Sequence, residues 1–274
     1  MALRLIYITN RPDVAKVAEQ NGVEWIFVDL EINGKVDRQG HLNTVISRHD
    51  ITDVSRVKGA LSHSEVLVRV NPIYEESEQE IDEVIERGAG IVMLPYFKTK
   101  QEVERFISCV RGRAKVCLLL ETAEAVEIID DILNIEGIDF IHIGLNDLHL
   151  SYGKTFMFEL LIDGTVERLA EKIKQTGIPY GFGGIARLGQ GALPAEMIVA
   201  EHHRLGSEMA ILSRAFCNAE EATDIEEISR IFREGVKKLR AYEKGLTTQR
   251  FTFFQDNHEV MNGKVKEIVD SIAK

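Results

Sequence analysis

Four short apolar runs in this 274-residue chain end in residues that carry charge or handle protons. VDLE (28–31) contains Asp29 and Glu31, VRVN (68–71) contains Arg69 and Asn71, LLLE (118–121) ends in Glu121, and GLND (144–147) runs into Asn146 and Asp147. If these termini meet, four carboxylates and one guanidinium share one place. Acids that close repel one another and raise each other's pKa unless a cation sits among them. Glu121 and Asp147 suit a hard divalent ion that keeps several waters and takes one or two protein carboxylates, which describes Mg²⁺ better than zinc. The competing reading is that each acid caps the helix that follows it. Arg69 has a planar fork suited to bidentate pairing, with a substrate carboxylate or with Asp29 or Glu31.

What must bring these termini together is legible in the hydrophobic pattern. Continuous apolar runs bounded by turn signals fall at 3–9, 25–30, 66–71, 91–95, 116–121, 140–144, 180–184 and 209–213. Such runs are expected of parallel strands covered on both faces. Between them lie stretches with apolar residues at three- and four-residue spacing, at 100–110, 124–133, 166–175, 195–205 and 225–243. Gly22, Gly88, Gly177 and Gly206 stand where left-handed helix caps are needed. Eight right-handed βα units close most naturally into a (β/α)₈ TIM barrel, with a doubly wound open sheet as the competing arrangement. In a barrel the chemistry occupies the face where strands end, and the acids and Arg69 lie at those ends.

Residues 1–248 are therefore read as one barrel domain. Residues 249–274 are read as an aromatic and helical C-terminal extension in which 250–255 (RFTFFQ) leads into a helix at 259–272. Phe251, Phe253 and Phe254 require this tail to pack on the barrel or on a neighbouring subunit. The polar stretch 33–64, with GKVDRQGH near its start, is expected to hold a loop over the barrel mouth and one helix.

Composition sets outer bounds. With 45% hydrophobic residues, 21 Gly and 5 Pro, collagen-like, coiled-coil and disordered readings are excluded. The 33 basic residues against 44 acidic ones give a net charge of -11, whose field opposes nucleic acid and anionic membrane. Cys109, Cys117 and Cys217 have neither disulfide-framework nor zinc spacing and read as buried thiols in a reducing compartment. The opening MALRLIYITNRP has too short an apolar run for a signal peptide, and no segment reaches the roughly 20 apolar residues of a spanning helix, so a cytoplasmic location is expected.

Other features carry weaker signals. The stretch YGFGGIARLGQGALP (180–194) loosely matches a dinucleotide fingerprint but lies at the seventh strand, not the first. Its glycines either shape a tight loop or let backbone amides approach a phosphate. His142 reads as a core residue and His149 as solvated or capping. His202 and His203 are adjacent on a helix and point apart, so they form no chelate.

The segments GVEWIFVDLE (22–31), LVRVNP (67–72), GAGIVMLP (88–95), LLLETAEAV (118–126) and IEGIDFIHIGLNDLHLSYG (135–153) resemble the HpcH/HpaI aldolase and citrate lyase β-subunit family of metal-dependent barrels. The resemblance implies that Glu121 and Asp147 ligate Mg²⁺ or another divalent cation such as Mn²⁺. It implies that Arg69 faces the oxygens of a 2-oxo acid or its enolate, and that Gly144, Leu145, Asn146 and Asp147 cradle the substrate carboxylate. Asp29 and Glu31 would support the site or hold a metal-bound water as general base. The chain departs from the family at Ile32, where the aldolases carry histidine, at Leu119, where they carry glutamine, and at Leu145, where proline is usual. The metal-binding acids match, and the acid–base apparatus is what departs.

The implied activity is a metal-dependent carbon–carbon lyase of the class II aldolase type, cleaving or forming a 4-hydroxy-2-oxo acid through a pyruvate-like enolate. The alternatives are an acyl-CoA thioester lyase of the citrate lyase or malyl-CoA type and a non-catalytic 2-oxo-acid-binding barrel. A homo-oligomer, trimer or hexamer, assembled through C-terminal elements is expected.

Overall fold

The computed structural model describes residues 2–33, 49–219, 221–222 and 224–272. Eight strands form in order: β1 Arg4–Ile8, β2 Trp25–Asp29, β3 Glu65–Arg69, β4 Ile91–Leu94, β5 Lys115–Leu120, β6 Phe140–Ile143, β7 Tyr180–Ile185 and β8 Met209–Leu212. They close in sequential order into a parallel barrel with helices between them, a TIM barrel followed by a C-terminal helical segment. The open-sheet arrangement is thereby excluded. Each strand lies within a residue or two of its run of hydrophobicity, because a strand covered on both faces has no polar position to blur its limits.

The chain divides into two compact units, one comprising Tyr7–Ile141 and the other Met1–Ile6 with His142–Lys274. In the first, all five residues of β2 are buried, and so are the apolar centres of β3, β4 and β5. Each Val, Ile or Leu so buried contributes about 1.5–3 kcal/mol relative to exposure. Trp25 meets Phe140 edge-on at 4.8 Å. The helix Lys100–Val110 starts at Thr99, whose hydroxyl accepts from Glu102 N while Glu102 Oε2 accepts from Thr99 N, a reciprocal capping box. The segment read as one helix at 124–133 is two, Ala123–Glu127 and Ile129–Leu133, because Ile128 (φ −103°, ψ 16°) leaves helical geometry. The helix expected within 33–64 is Thr52–Ala60, while GKVDRQGH lies outside the described residues.

In the second unit, β7 and β8 approach so closely at Gly181 that a Cβ there would sit 2.3 Å from the Met209 carbonyl oxygen, so only glycine fits. The helix Ile225–Leu246 ties down the start of the chain: Glu243 accepts from Leu3 N (2.7 Å), and Arg240 donates to Leu3 O (2.6 Å). The last helix begins earlier than the aromatic pattern suggests. It spans Phe251–Ile272 and takes in the phenylalanines of 250–255, because side-chain period alone does not separate an aromatic lead-in from a first helical turn. This helix packs on Glu159–Ile162 and Ala195–Leu205, with Asn257 Nδ2 donating to Met197 O (3.2 Å) and His258 beside Glu201 (3.2 Å). Phe251, Val260 and Ile272 remain exposed. No described helix is long and apolar enough to cross a membrane. The three cysteines are buried and form no disulfide among the described residues.

His202 is fully buried, stacked on Phe182 at 3.8 Å, with Nδ1 2.8 Å from Ser207 Oγ. Burial, and then the neighbouring His142 and His203, hold its pKa well below the ordinary 6.5. A histidine with a depressed folded pKa contributes stability above its unfolded pKa and loses it as pH falls. Urea unfolding of the wild type should therefore lose stability from pH 6.5 downward more steeply than His202→Phe, by up to about 1.4 kcal/mol per pH unit. Equal slopes would show that His202 is not the group protonated on unfolding.

Candidate active site

Strand register sets the first contact. β2 and β3 pair so that Asp29 stands opposite Arg69, the last residue of each strand. Two charged side chains at paired positions of parallel neighbours meet directly, and the guanidinium closes on the carboxylate with both arms. Arg69 Nε donates to Asp29 Oδ1 and Nη2 to Asp29 Oδ2, each at 2.8 Å. Nη1 lies 3.3 Å from Glu31 Oε2. Asp29, Glu31 and Glu121 are 2%, 0% and 3% exposed. Burial opposes the charge on Arg69, but Asp29, Glu31 and Glu121 outweigh it and raise its pKa above the ordinary arginine value. Of the two roles open to Arg69 in the sequence, ion-pair partner is the one seen.

Loops from neighbouring strands hold this group. Asn71, two residues beyond Arg69, accepts through Oδ1 from the backbone N–H groups of Ile32 and Asn33, both at 2.9 Å. Its Nδ2 donates to Glu80 Oε1 at 2.7 Å. Burial pushes the Glu80 carboxyl above its usual range despite the hydrogen bonds from Asn71. Ile32 is 60% exposed. His49 Nδ1 accepts from Asp29 N at 3.0 Å.

Glu121 follows β5 directly, and its Oε1 accepts from the backbone N–H of Tyr96 at 3.0 Å. Tyr96 has φ +49°, one of two described non-glycine residues with positive φ. A tyrosine there costs about 1–3 kcal/mol and persists only where surrounding contacts over-determine it. Those contacts include Thr122 Oγ1 donating to Phe97 O at 2.7 Å. The capping reading of Glu121 is corrected: Thr122 is the N-cap of Ala123–Glu127, accepting from Ala125 N, which leaves Glu121 to the strand end.

The other unit carries Gly144, Leu145, Asn146 and Asp147. Gly144 is the N-cap of Leu145–Ser151, so Asp147 lies within the first turn and not before the helix. Asp147 is 6% exposed, and Leu145 is buried. His142 is a core residue, its Nε2 3.1 Å from Gly183 O. His149 is buried with Nδ1 3.2 Å from Leu145 O, so the solvated or capping reading of it does not hold. Among the described residues no three His, Cys, Asp or Glu side chains are grouped to hold a metal ion. Mg²⁺ needs only one or two protein carboxylates, so that count does not bear on a site of its usual kind.

Sequence reasoning passed over His49, Glu80 and Tyr96. His49 and Glu80 sit in polar stretches with no periodic signal. Tyr96 contributes through its backbone, and only its place just after Pro95 hinted at an unusual turn.

A parallel barrel with acids and an arginine at the carboxyl ends of its strands defines a class of enzyme-bearing scaffolds. The profile of the HpcH/HpaI aldolase/citrate lyase family matches residues 5–176, and the chain belongs to that family. It is 25% identical over 204 residues to a 4-hydroxy-2-oxovalerate aldolase of Novosphingobium aromaticivorans, covering 62% of this chain and 71% of that protein. It is 23% identical over 207 residues to a hydroxypyruvate/pyruvate aldolase of Sagittula stellata, covering 62% and 73%. The fold matches the crystal structure of an HpcH/HpaI aldolase from Desulfitobacterium hafniense DCB-2 with a TM-score of 0.59 at 16% identity, covering 87% and 93% of the two chains.

Removing Arg69 would strand Asp29 and Glu31 as buried carboxylates without a counter-charge. Arg69→Met should cost about 3–5 kcal/mol in urea unfolding, and adding Asp29→Asn should recover at least about 1 kcal/mol of that. A loss under about 1 kcal/mol for the single variant would mean the pair does not organise this end of the barrel.

Proposed function

We propose that this chain is a divalent-metal-dependent carbon–carbon lyase that cleaves a 4-hydroxy-2-oxo acid to pyruvate, or a related 2-oxo acid, and an aldehyde. The observation that carries the reading is a cluster of charges within Tyr7–Ile141. Three carboxylates, Asp29, Glu31 and Glu121, each almost fully buried, act on the Arg69 guanidinium, whose side chain is 12% exposed. Buried carboxylate oxygens at strand ends are a hard-oxygen donor set suited to a cation such as Mg²⁺ or Mn²⁺. The activities named for the two relatives support the same reaction class.

By the family resemblance, Glu121 would be one protein ligand of the ion and Asp147 the other. The ion, when bound, supplies Lewis-acid polarisation of the 2-oxo group. Arg69 has five N–H donors, of which two are given to Asp29 and one faces Glu31. The remaining two would meet the substrate oxygen on which negative charge develops, adding stabilisation in a setting already shielded from water. Because Asp29 pins the fork in one plane, little reorganisation is needed as that charge forms. Both oxygens of Asp29 are occupied by Arg69, and Oδ1 also accepts from Glu31 N (3.2 Å), so Asp29 orients. Glu31 is then the carboxylate assigned to hold the proton, directly or through water. The first-turn amides of Leu145, Asn146 and Asp147 would receive the substrate carboxylate.

The metal-free chain should release no pyruvate from 4-hydroxy-2-oxo acids in a coupled assay, and Mg²⁺ or Mn²⁺ should restore release, with oxalate inhibiting. Glu121→Gln and Asp147→Asn should each weaken Mn²⁺ binding at least about tenfold by calorimetry. Binding of oxalate with Mg²⁺, but no turnover of any 4-hydroxy-2-oxo acid or acyl-CoA thioester, would replace the lyase with a 2-oxo-acid-binding barrel.

A further inference from the structure

We propose that the carboxyl ends of β7 and β8 form an oxyanion subsite in which Arg187 and Arg214 together take a phosphate or a carboxylate group. Many of the described arginines sit against carboxylates: Arg56 on Asp53, Arg87 on Glu83, Arg111 and Arg113 on Asp82, Arg204 between Glu167 and Glu201. Arg187 and Arg214 do not. Arg187 Nε is shielded from solvent and has no hydrogen-bond acceptor, an arrangement that costs free energy until an acceptor arrives. Arg214 is exposed, and no described carboxylate pairs with it.

The backbone starts the two side chains from adjacent positions. Ile185 of β7 is the register partner of Leu212 of β8, and one residue further Ser213 N donates to Ile185 O at 2.9 Å. Arg187 and Arg214 each lie two residues beyond that register pair. Two guanidinium groups that start from neighbouring strand ends, with no described carboxylate paired to either, are complemented by an anion that accepts from both forks.

The chain around Arg187 is rich in glycine. Gly184 has no side chain where a Cβ would lie 3.5 Å from Ser213 Cβ, and Gly183, Gly189 and Gly191 adopt positive φ, so this turn is lined by backbone. Phosphate and carboxylate share the chemistry that two guanidinium forks recognise, oxygens presented in pairs. Resting on the lyase reading, the subsite receives the anionic end of the carbonyl partner and selects phosphorylated or acidic aldehydes over neutral ones.

The test is calorimetric titration of the metal-free full chain with inorganic phosphate and, separately, malonate at low ionic strength. Saturable binding of one equivalent is expected, weakened at least about tenfold in Arg187→Met and at least about threefold in Arg214→Met, with partial retention in Arg187→Lys. Arg233→Met, an exposed arginine on the helix Ile225–Leu246, should leave it unchanged. If Arg187→Met does not fold, Arg214→Met decides alone. Phosphate binding without malonate binding assigns a phosphoryl ligand, and the reverse assigns a carboxylate. No saturable binding of either anion, or binding indifferent to both substitutions, overturns the subsite. Anion binding in a chain with no lyase turnover keeps the subsite and removes the lyase, so the two failures are distinguishable.

Discussion

Two buried acids at the end of β2 are tolerable only because β3 ends in an arginine at the matching register. An ionised carboxylate removed from water without a partner is costly enough to deform or unfold a strand end, and Asp29 and Glu31 are both almost fully covered. The two-armed bond from Arg69 to Asp29, with its third nitrogen beside Glu31, turns that liability into an ordered group of charges. The same contact fixes where positive charge stands at the barrel mouth. A lysine could hold the charge but not the plane, since its ammonium has no fork to match a carboxylate's two oxygens.

Around this pair the molecule spends conformational freedom on aiming oxygens. Tyr96 keeps a left-handed backbone and gives its N–H to one oxygen of Glu121, which restricts how the other oxygen can be presented. Asn71 is held by Glu80 and in turn pins the backbone just after Glu31. A left-handed tyrosine and a chain of side-chain amide hydrogen bonds at strand ends fit a site whose geometry has to survive a change in charge during a reaction.

Arg187 and Arg214 offer a contrast. Asp29 and Arg69 satisfy one another, whereas the two arginines past β7 and β8 are paired with no acid among the described residues. In one place the chain supplies both halves of an ion pair, and in the other it supplies only the cationic half. A ligand that brings its own negative charge is the natural complement.

The amino-acid order by itself determined the barrel. Continuous apolar runs at regular intervals, separated by amphipathic stretches and glycine caps, are a local signal that needs no knowledge of distant contacts, and the eight strands lie where the runs do. It also placed the charged residues at strand ends. It did not say that Asp29 and Arg69 face each other, since register depends on how two strands slide together. Nor did it say that Glu121 answers to Tyr96 while Thr122 does the capping, or that His49 returns to the backbone of Asp29. Apart from the Thr122 cap, which is local, those contacts join residues about 20 to 40 positions apart, and hydrogen bonds between loops have no periodicity to read. Hydrophobic burial repeats along a chain and so is written into it. The direction of a single side chain or amide is settled only when the neighbouring loops are packed.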